Sequence, residues 1–85
     1  MVNASALETT DHKKIRQWVE QRGGHPAQVK GTNGLLRIDF DTPEESLEQI
    51  SWEDFFKIFD VSKLKFLYAP EPDSKLNKFV RNDGR

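Results

Sequence analysis

Asn33-Gly34 sits between two short stretches in which apolar and polar residues alternate. That dipeptide is the strongest short-range hairpin signal, because a type I′ turn needs positive φ at both central residues and Asn and Gly tolerate it best. The flanking runs are Ala27-Gln28-Val29-Lys30 and Leu35-Leu36-Arg37-Ile38-Asp39-Phe40. A two-residue turn places Val29 opposite Ile38 and Ala27 opposite Phe40 on one face. It places Gln28 opposite Asp39 and Lys30 opposite Arg37 on the other. Apolar and polar pairs separate cleanly, and a slip of one residue would destroy the agreement. A hairpin in this register is the element around which the rest of the chain must fit.

Two helices frame that hairpin. Thr9-Thr10-Asp11 offers N-cap residues, and Ile15, Trp18 and Val19 then recur at i, i+3, i+4. Arg22 continues the face where a cation suits a helix C-terminus, Gly23-Gly24 supplies a left-handed stop, and Pro26 forbids resumption. A first helix over 11–22 is predicted. Ser51 can cap a second, with Asp54 as a short capping-box partner and Ile50 stapling onto Phe55. Trp52, Phe55, Phe56 and Phe59 share one helical face, which predicts a helix over 52–60 held by its packing. Residues 41–49 read as a loop with room for one helical turn. Met1 to Glu8 has no periodicity and reads as a disordered tail.

The C-terminal part reads as a second hairpin. Lys65-Phe66-Leu67-Tyr68-Ala69 alternates, Pro70 and Pro72-Asp73-Ser74 mark the turn, and Leu76 to Arg81 returns. The order is α-β-β-α-β-β. The expected fold is a single α+β domain over 9–85, a two-layer sandwich with both helices on one face of a four-stranded antiparallel sheet. Its core would hold Ile15, Trp18, Val19, Val29, Ile38, Phe40, Phe55, Phe59 and Phe66.

Composition narrows the function classes. The chain has 85 residues, which is one domain at most and a small core. Charged residues are 32%, but six Phe, two Trp and one Tyr argue against disorder. Without cysteine there is no disulfide framework, thiolate site or Cys nucleophile. No apolar run approaches the ~18 residues of a membrane span, and no secretory h-region opens the chain, so a cytoplasmic protein without membrane association is expected. Basic and acidic side chains number six and four in 1–40, one and seven in 41–60, and six and three in 61–85. An acidic middle is thus flanked by mildly basic parts, and the net charge of −1 lacks the overall basic excess usual for a nucleic-acid binder.

Several residue runs resemble a family of small uncharacterised bacterial proteins. They are Thr9-Thr10-Asp11-His12, Arg22-Gly23-Gly24 with Pro26-Ala27, Gly31-Thr32, and Gly34-Leu35-Leu36-Arg37-Ile38-Asp39-Phe40. Ser46-Leu47-Glu48, Ile50-Ser51-Trp52-Glu53, Phe59-Asp60, Leu67-Tyr68 and Asn77-Lys78 extend the similarity over roughly 9–81. The resemblance implies no particular activity. Some members carry the label 1,4-alpha-glucan branching enzyme, but that chemistry belongs to a barrel of about 250 residues, which this chain cannot contain.

Individual constellations favour structural roles. His12 and His25 are isolated, whereas a zinc site needs three or four converging ligands. Asp39, Asp41, Glu44, Glu45 and Glu48 lack the glycine-turned spacing of a calcium loop and read as a solvated acidic segment. Gly31-Thr32-Asn33-Gly34 lacks the Lys and the following helix of a phosphate loop. No catalytic residue, cofactor or metal is therefore expected. A small non-catalytic protein-interaction or regulatory domain is the first reading, acting as a monomer or weak dimer on an unidentified protein. A nucleic-acid-binding module is the second. In either case the partner surface is placed on the sheet face away from the helices. Leu67, Leu76 and Val80 would form an aliphatic strip there, rimmed by Lys30, Arg37, Lys65 and Lys78.

Overall fold

The computed structural model of the chain describes residues 6–41 and 46–82. Its elements run β1 (Leu7–Thr9), α1 (His12–Gln21), β2 (His25–Val29), β3 (Leu36–Asp39), β4 (Leu47–Gln49), α2 (Trp52–Val61), β5 (Leu64–Tyr68) and β6 (Asn77–Arg81). The α+β class and both helices are as expected. The sheet is not: two antiparallel three-stranded sheets, β1-β5-β6 and β3-β2-β4, replace the single four-stranded one. Each expected hairpin gains a third strand. Leu7 and Glu8, expected in the tail, pair with Tyr68 and Leu67. Leu47–Gln49, expected in a loop, pairs with Ala27–Val29. Strands of three residues are too short to show an alternation of their own, and their partners supply the order. Residues 1–5, and Glu44 and Glu45 of the acidic segment, lie outside the described residues.

The first helix is set by its ends. Asp11 is its N-cap, and the carboxylate accepts from Lys13 N at 2.9 Å and from Lys14 N at 3.4 Å. At the other end Gly23 takes φ +72, Gly23 N donates to Glu20 O, and Gly24 N donates to Val19 O. That pair of bonds is the Schellman arrangement anticipated from Gly23-Gly24. Gly24 has a second role. A Cβ built there would lie 2.9 Å from side-chain atoms of Val19, Ile38 and Phe40, so the absence of a side chain lets α1 close onto the β2–β3 hairpin. The second helix begins at Ser51, whose Oγ accepts from Asp54 N at 3.0 Å.

The first hairpin forms, but its register departs from the expected one. Pro26 faces Ile38, Ala27 faces Arg37 and Gln28 faces Leu36. The Val29–Ile38 and Lys30–Arg37 pairings are therefore wrong. The cause is the loop. Asn33 does not take positive φ, while Gly31 (φ +78) and Gly34 (φ +85) do. Val29 N donates to Leu35 O, so five residues are spanned instead of two. Thr32 holds this wider loop: its hydroxyl donates to Val29 O at 2.6 Å and accepts from Leu35 N at 3.2 Å. The shift of three residues exchanges faces. Pro26 joins Ile38 on the core side, and Val29 moves to the far side, half-buried. The proline is tolerated in a central strand because its carbonyl accepts from Ile50 N, so its missing N–H falls where β4 has just ended.

The second hairpin forms, with the expected alternation along its first strand. Phe66 faces Phe79, Lys65 faces Val80 and Leu67 faces Lys78. One core gathers Ile15, Trp18 and Val19 from α1, Leu36 and Ile38 from β3, Phe55 and Phe59 from α2 and Phe66 from β5. Of the expected core, Val29 and Phe40 are only half-buried, and Leu36 was not anticipated. Both sheets and both helices feed this cluster.

Candidate partner-binding surface

Alternation along β5 and β6 builds the surface. Leu64, Phe66, Tyr68 and Phe79 are turned to the core, so the residues between them occupy the outer face. Lys65 and Val80 form one cross-strand pair of that face, and Leu67 and Lys78 the next. Glu8 of β1 lies beside Leu67, and its carboxylate accepts from Lys65 Nζ at 2.8 Å. The ladder continues past the strand ends through Ala69 N donating to Leu76 O, which brings Ala69 and the 75% exposed Leu76 onto the same face.

Two hollows border β6, one on this face and one along its edge toward β3. The first, of about 270 Å³, is lined by Ala6, Leu67, Ala69, Pro70, Leu76 and Lys78 among others. The second, of about 280 Å³, is lined by Arg37, Asn77, Lys78 and Phe79, so β3 of one sheet and β6 of the other both border it. Asn77 and Lys78 belong to both. Five of the seven candidate residues thus lie in or beside the first hollow: Leu67, Leu76 and Lys78 line it, and Lys65 and Val80 occupy the neighbouring pair. Arg37 joins through the second hollow. Lys30 does not: it lies in the loop beyond β2, is not paired with Arg37, and lines neither hollow. The expected like-charge pair is absent because of the register shift.

The charges divide unevenly. Lys65 is neutralised locally by Glu8. Arg37 donates from Nη1 to the neighbouring Leu36 carbonyl at 2.9 Å, and among the described residues neither it nor Lys78 has a carboxylate partner.

The wall of the first hollow is held by a residue that the sequence marks only as a helix end. Arg22 donates from Nε to Ser74 O at 2.7 Å, from Nη2 to Glu71 O at 2.8 Å and from Nη1 to Trp18 O at 3.0 Å. Its guanidinium lies 4.2 Å from the Trp18 ring centroid. Trp18 Nε1 in turn donates to Ala69 O at 2.8 Å. The segment between β5 and β6 is thereby fastened at three carbonyls. Nothing near Arg22 in sequence signals Glu71 and Ser74, which lie about fifty positions away.

The remaining candidates serve packing. His12 donates from Nε2 to Asp60 at 2.9 Å and stacks on Phe56, with ring centroids 4.1 Å apart. Phe56 stacks on Trp52, whose Nε1 donates to Glu20. These rings lie against one another across the two helices. His25 pairs with Asp41 at 3.2 Å, and Gln49 donates to Asp39. Among the described residues no group of three or more His, Cys, Asp or Glu side chains is arranged to hold a metal ion, and no helix is long and apolar enough to cross a membrane.

Comparison with known proteins finds no matching family model, no matching curated protein and no matching solved structure.

Proposed function

We propose that this chain is a small, non-catalytic protein-interaction domain of the cytoplasm, working as a monomer or weak dimer and docking a partner protein on the outer face of β1-β5-β6. The observation that carries the reading is the apolar hollow around Leu67, Ala69 and Leu76, which adjoins, at Asn77 and Lys78, a second hollow bordered by Arg37. Interfaces combine an apolar centre with a polar rim in this way. The resemblance to the small bacterial family rests on the residue runs alone and adds no activity to the proposal. A nucleic-acid-binding module remains the second reading, because Arg37 and Lys78 have no carboxylate partner among the described residues. The net charge of −1 and the withdrawal of Lys65 by Glu8 count against it.

A photo-crosslinking residue at position 76, compared with one at position 61, tests the proposal in extract of the source organism. Leu76 and Val61 are equally exposed, at 75% and 76%. A discrete protein captured from position 76 and not from 61 is the expected result. Capture of nucleic acid, with binding that falls steeply as salt rises, transfers the surface to the second reading. Equal capture from both positions, or none, removes the surface from consideration.

A further inference from the structure

We infer that the two adjoining hollows form one groove for an acidic, apolar peptide segment, with an aliphatic side chain seated against Leu67, Ala69 and Leu76 and a neighbouring carboxylate held by Arg37 and Lys78. The inference rests on the protein-interaction reading above and names the chemistry of its partner.

Size comes first. Hollows of about 270 and 280 Å³ fall below the ~300–1,000 Å³ typical of small-molecule and cofactor pockets. Each suits a side chain. Asn77 and Lys78 line both, so the two adjoin at β6 and an extended segment laid across that strand reaches from one to the other.

Charge decides what that ligand carries. Arg37 and Lys78 converge on the second hollow, and no carboxylate among the described residues pairs with either. A guanidinium presents a fork that matches a carboxylate in two parallel bonds. A third cation of the same face, Lys65, is already satisfied by Glu8 at 2.8 Å. Of the residues that line the two hollows, the cations Arg37 and Lys78 meet at the second and Glu71 brings a negative charge to the first, so positive charge does not run along both as a nucleic-acid backbone would require.

Preorganisation supports the assignment. Arg22 and Trp18 fasten the carbonyls of Ala69, Glu71 and Ser74, so the wall of the groove is in place before a ligand arrives. Less ordering then opposes binding.

The test is an amide-shift titration of the full ¹⁵N-labelled chain with three probes. They are a capped peptide of alternating Leu and Glu, the same peptide with Gln in place of Glu, and a ten-nucleotide oligothymidylate. Expected are shifts at 37, 67–69 and 76–79 with the Glu peptide, and affinity for the Gln peptide weaker by roughly tenfold or more. In an Arg37→Gln/Lys78→Gln protein the two peptides should bind alike, and unchanged amide dispersion shows that these exposed substitutions leave the fold intact. Equal binding of both peptides to the parent chain overturns the carboxylate site but leaves the interaction surface. Silence from both peptides while position 76 still captures a protein overturns the acidic-peptide chemistry alone; silence together with failed capture overturns both. Oligothymidylate shifting the same amides assigns the groove to nucleic acid. Shifts there that depend on the concentration of the chain alone assign it to a second copy. Either result overturns the inference.

Discussion

Gly24 and Arg22 stand two positions apart and act in opposite ways: one by having no side chain, the other by having a long one. At Gly24 any Cβ meets Val19, Ile38 and Phe40 at 2.9 Å. None of these three can withdraw without disturbing the junction of α1 with β2–β3. Gly24→Ala should therefore destabilise by about 1–3 kcal/mol, the usual range for overpacking; urea unfolding of the variant checks it. Arg22 uses three nitrogens on three different carbonyls. Lysine keeps the charge and loses the fork, so Arg22→Lys is not conservative here. It should cost about 1–3 kcal/mol, since it removes charge-assisted bonds from half-buried carbonyls. Amides of 70–76 should exchange faster in the variant while those of β2 and β3 keep their protection. Uniformly faster exchange would show that Arg22 supports the whole fold and not this segment. The glycine stop at 23–24 was legible because helix termination is local chemistry. The bonds of Arg22 to Glu71 and Ser74 were not, because they are set by a hairpin that folds back from about fifty residues away.

At the level of elements, the first hairpin separates what a turn signal can decide from what it cannot. The signal correctly placed a reversal between β2 and β3. The register was then drawn from a two-residue Asn33-Gly34 turn with the apolar pairing in agreement, and that step failed because the loop spans five residues. The two registers make different demands on the turn. In a two-residue I′ turn Asn33 carries positive φ and replacing it is costly. In the five-residue loop Asn33 is exposed without positive φ, and Gly34 has φ +85 with Ile58 3.0 Å from a virtual Cβ. Asn33→Ala should accordingly stay within about 0.5 kcal/mol of the parent, as surface changes do. Gly34→Ala should cost more than about 1 kcal/mol, from strain and close contact together. Thermal or urea denaturation of the pair decides between the registers, and a large loss for Asn33→Ala would restore the two-residue turn. In the second hairpin the alternation of Leu64, Phe66 and Tyr68 was legible because it is carried by large residues; the pairing of Phe66 with Phe79 was not, because the long connection between Tyr68 and Asn77 fixes no register. β1 and β4 were not, since three residues hold too little pattern to distinguish a strand from a loop. Their shortness also blunts the sheet edges on which they lie.

For the molecule as a whole, the shared core matters more than the number of sheets. Phe55 is fully buried and stacks near Phe59 and Phe79, while Leu36 and Ile38 reach the same cluster from the other sheet. Phe55→Ala should cost roughly 3–5 kcal/mol. A domain of this size has only about 5–10 kcal/mol in total. Unfolding followed by far-ultraviolet and near-ultraviolet dichroism should shift together in a single transition, because neither sheet has an apolar layer of its own to retain. Two separated transitions would mean that the sheets are independent units. The candidate surface was legible to the same extent as the second hairpin that carries it: Lys65, Leu67, Lys78 and Val80 share its outer face as expected. Lys30 fell away with the register of the first.

The bond from Trp18 to the Ala69 carbonyl gives the molecule an optical gauge. The indole is shielded from water, bears the Arg22 guanidinium on its face, and touches the same backbone that walls the groove. Its emission therefore depends on the position of that wall. The chain has two tryptophans, and the other, Trp52, sits half-exposed beside Glu20 on the helices. In a Trp52→Phe protein all tryptophan fluorescence comes from Trp18. A ligand seated against Ala69 should change its intensity or wavelength without any attached dye, and one bound along the helices should leave the spectrum as it was.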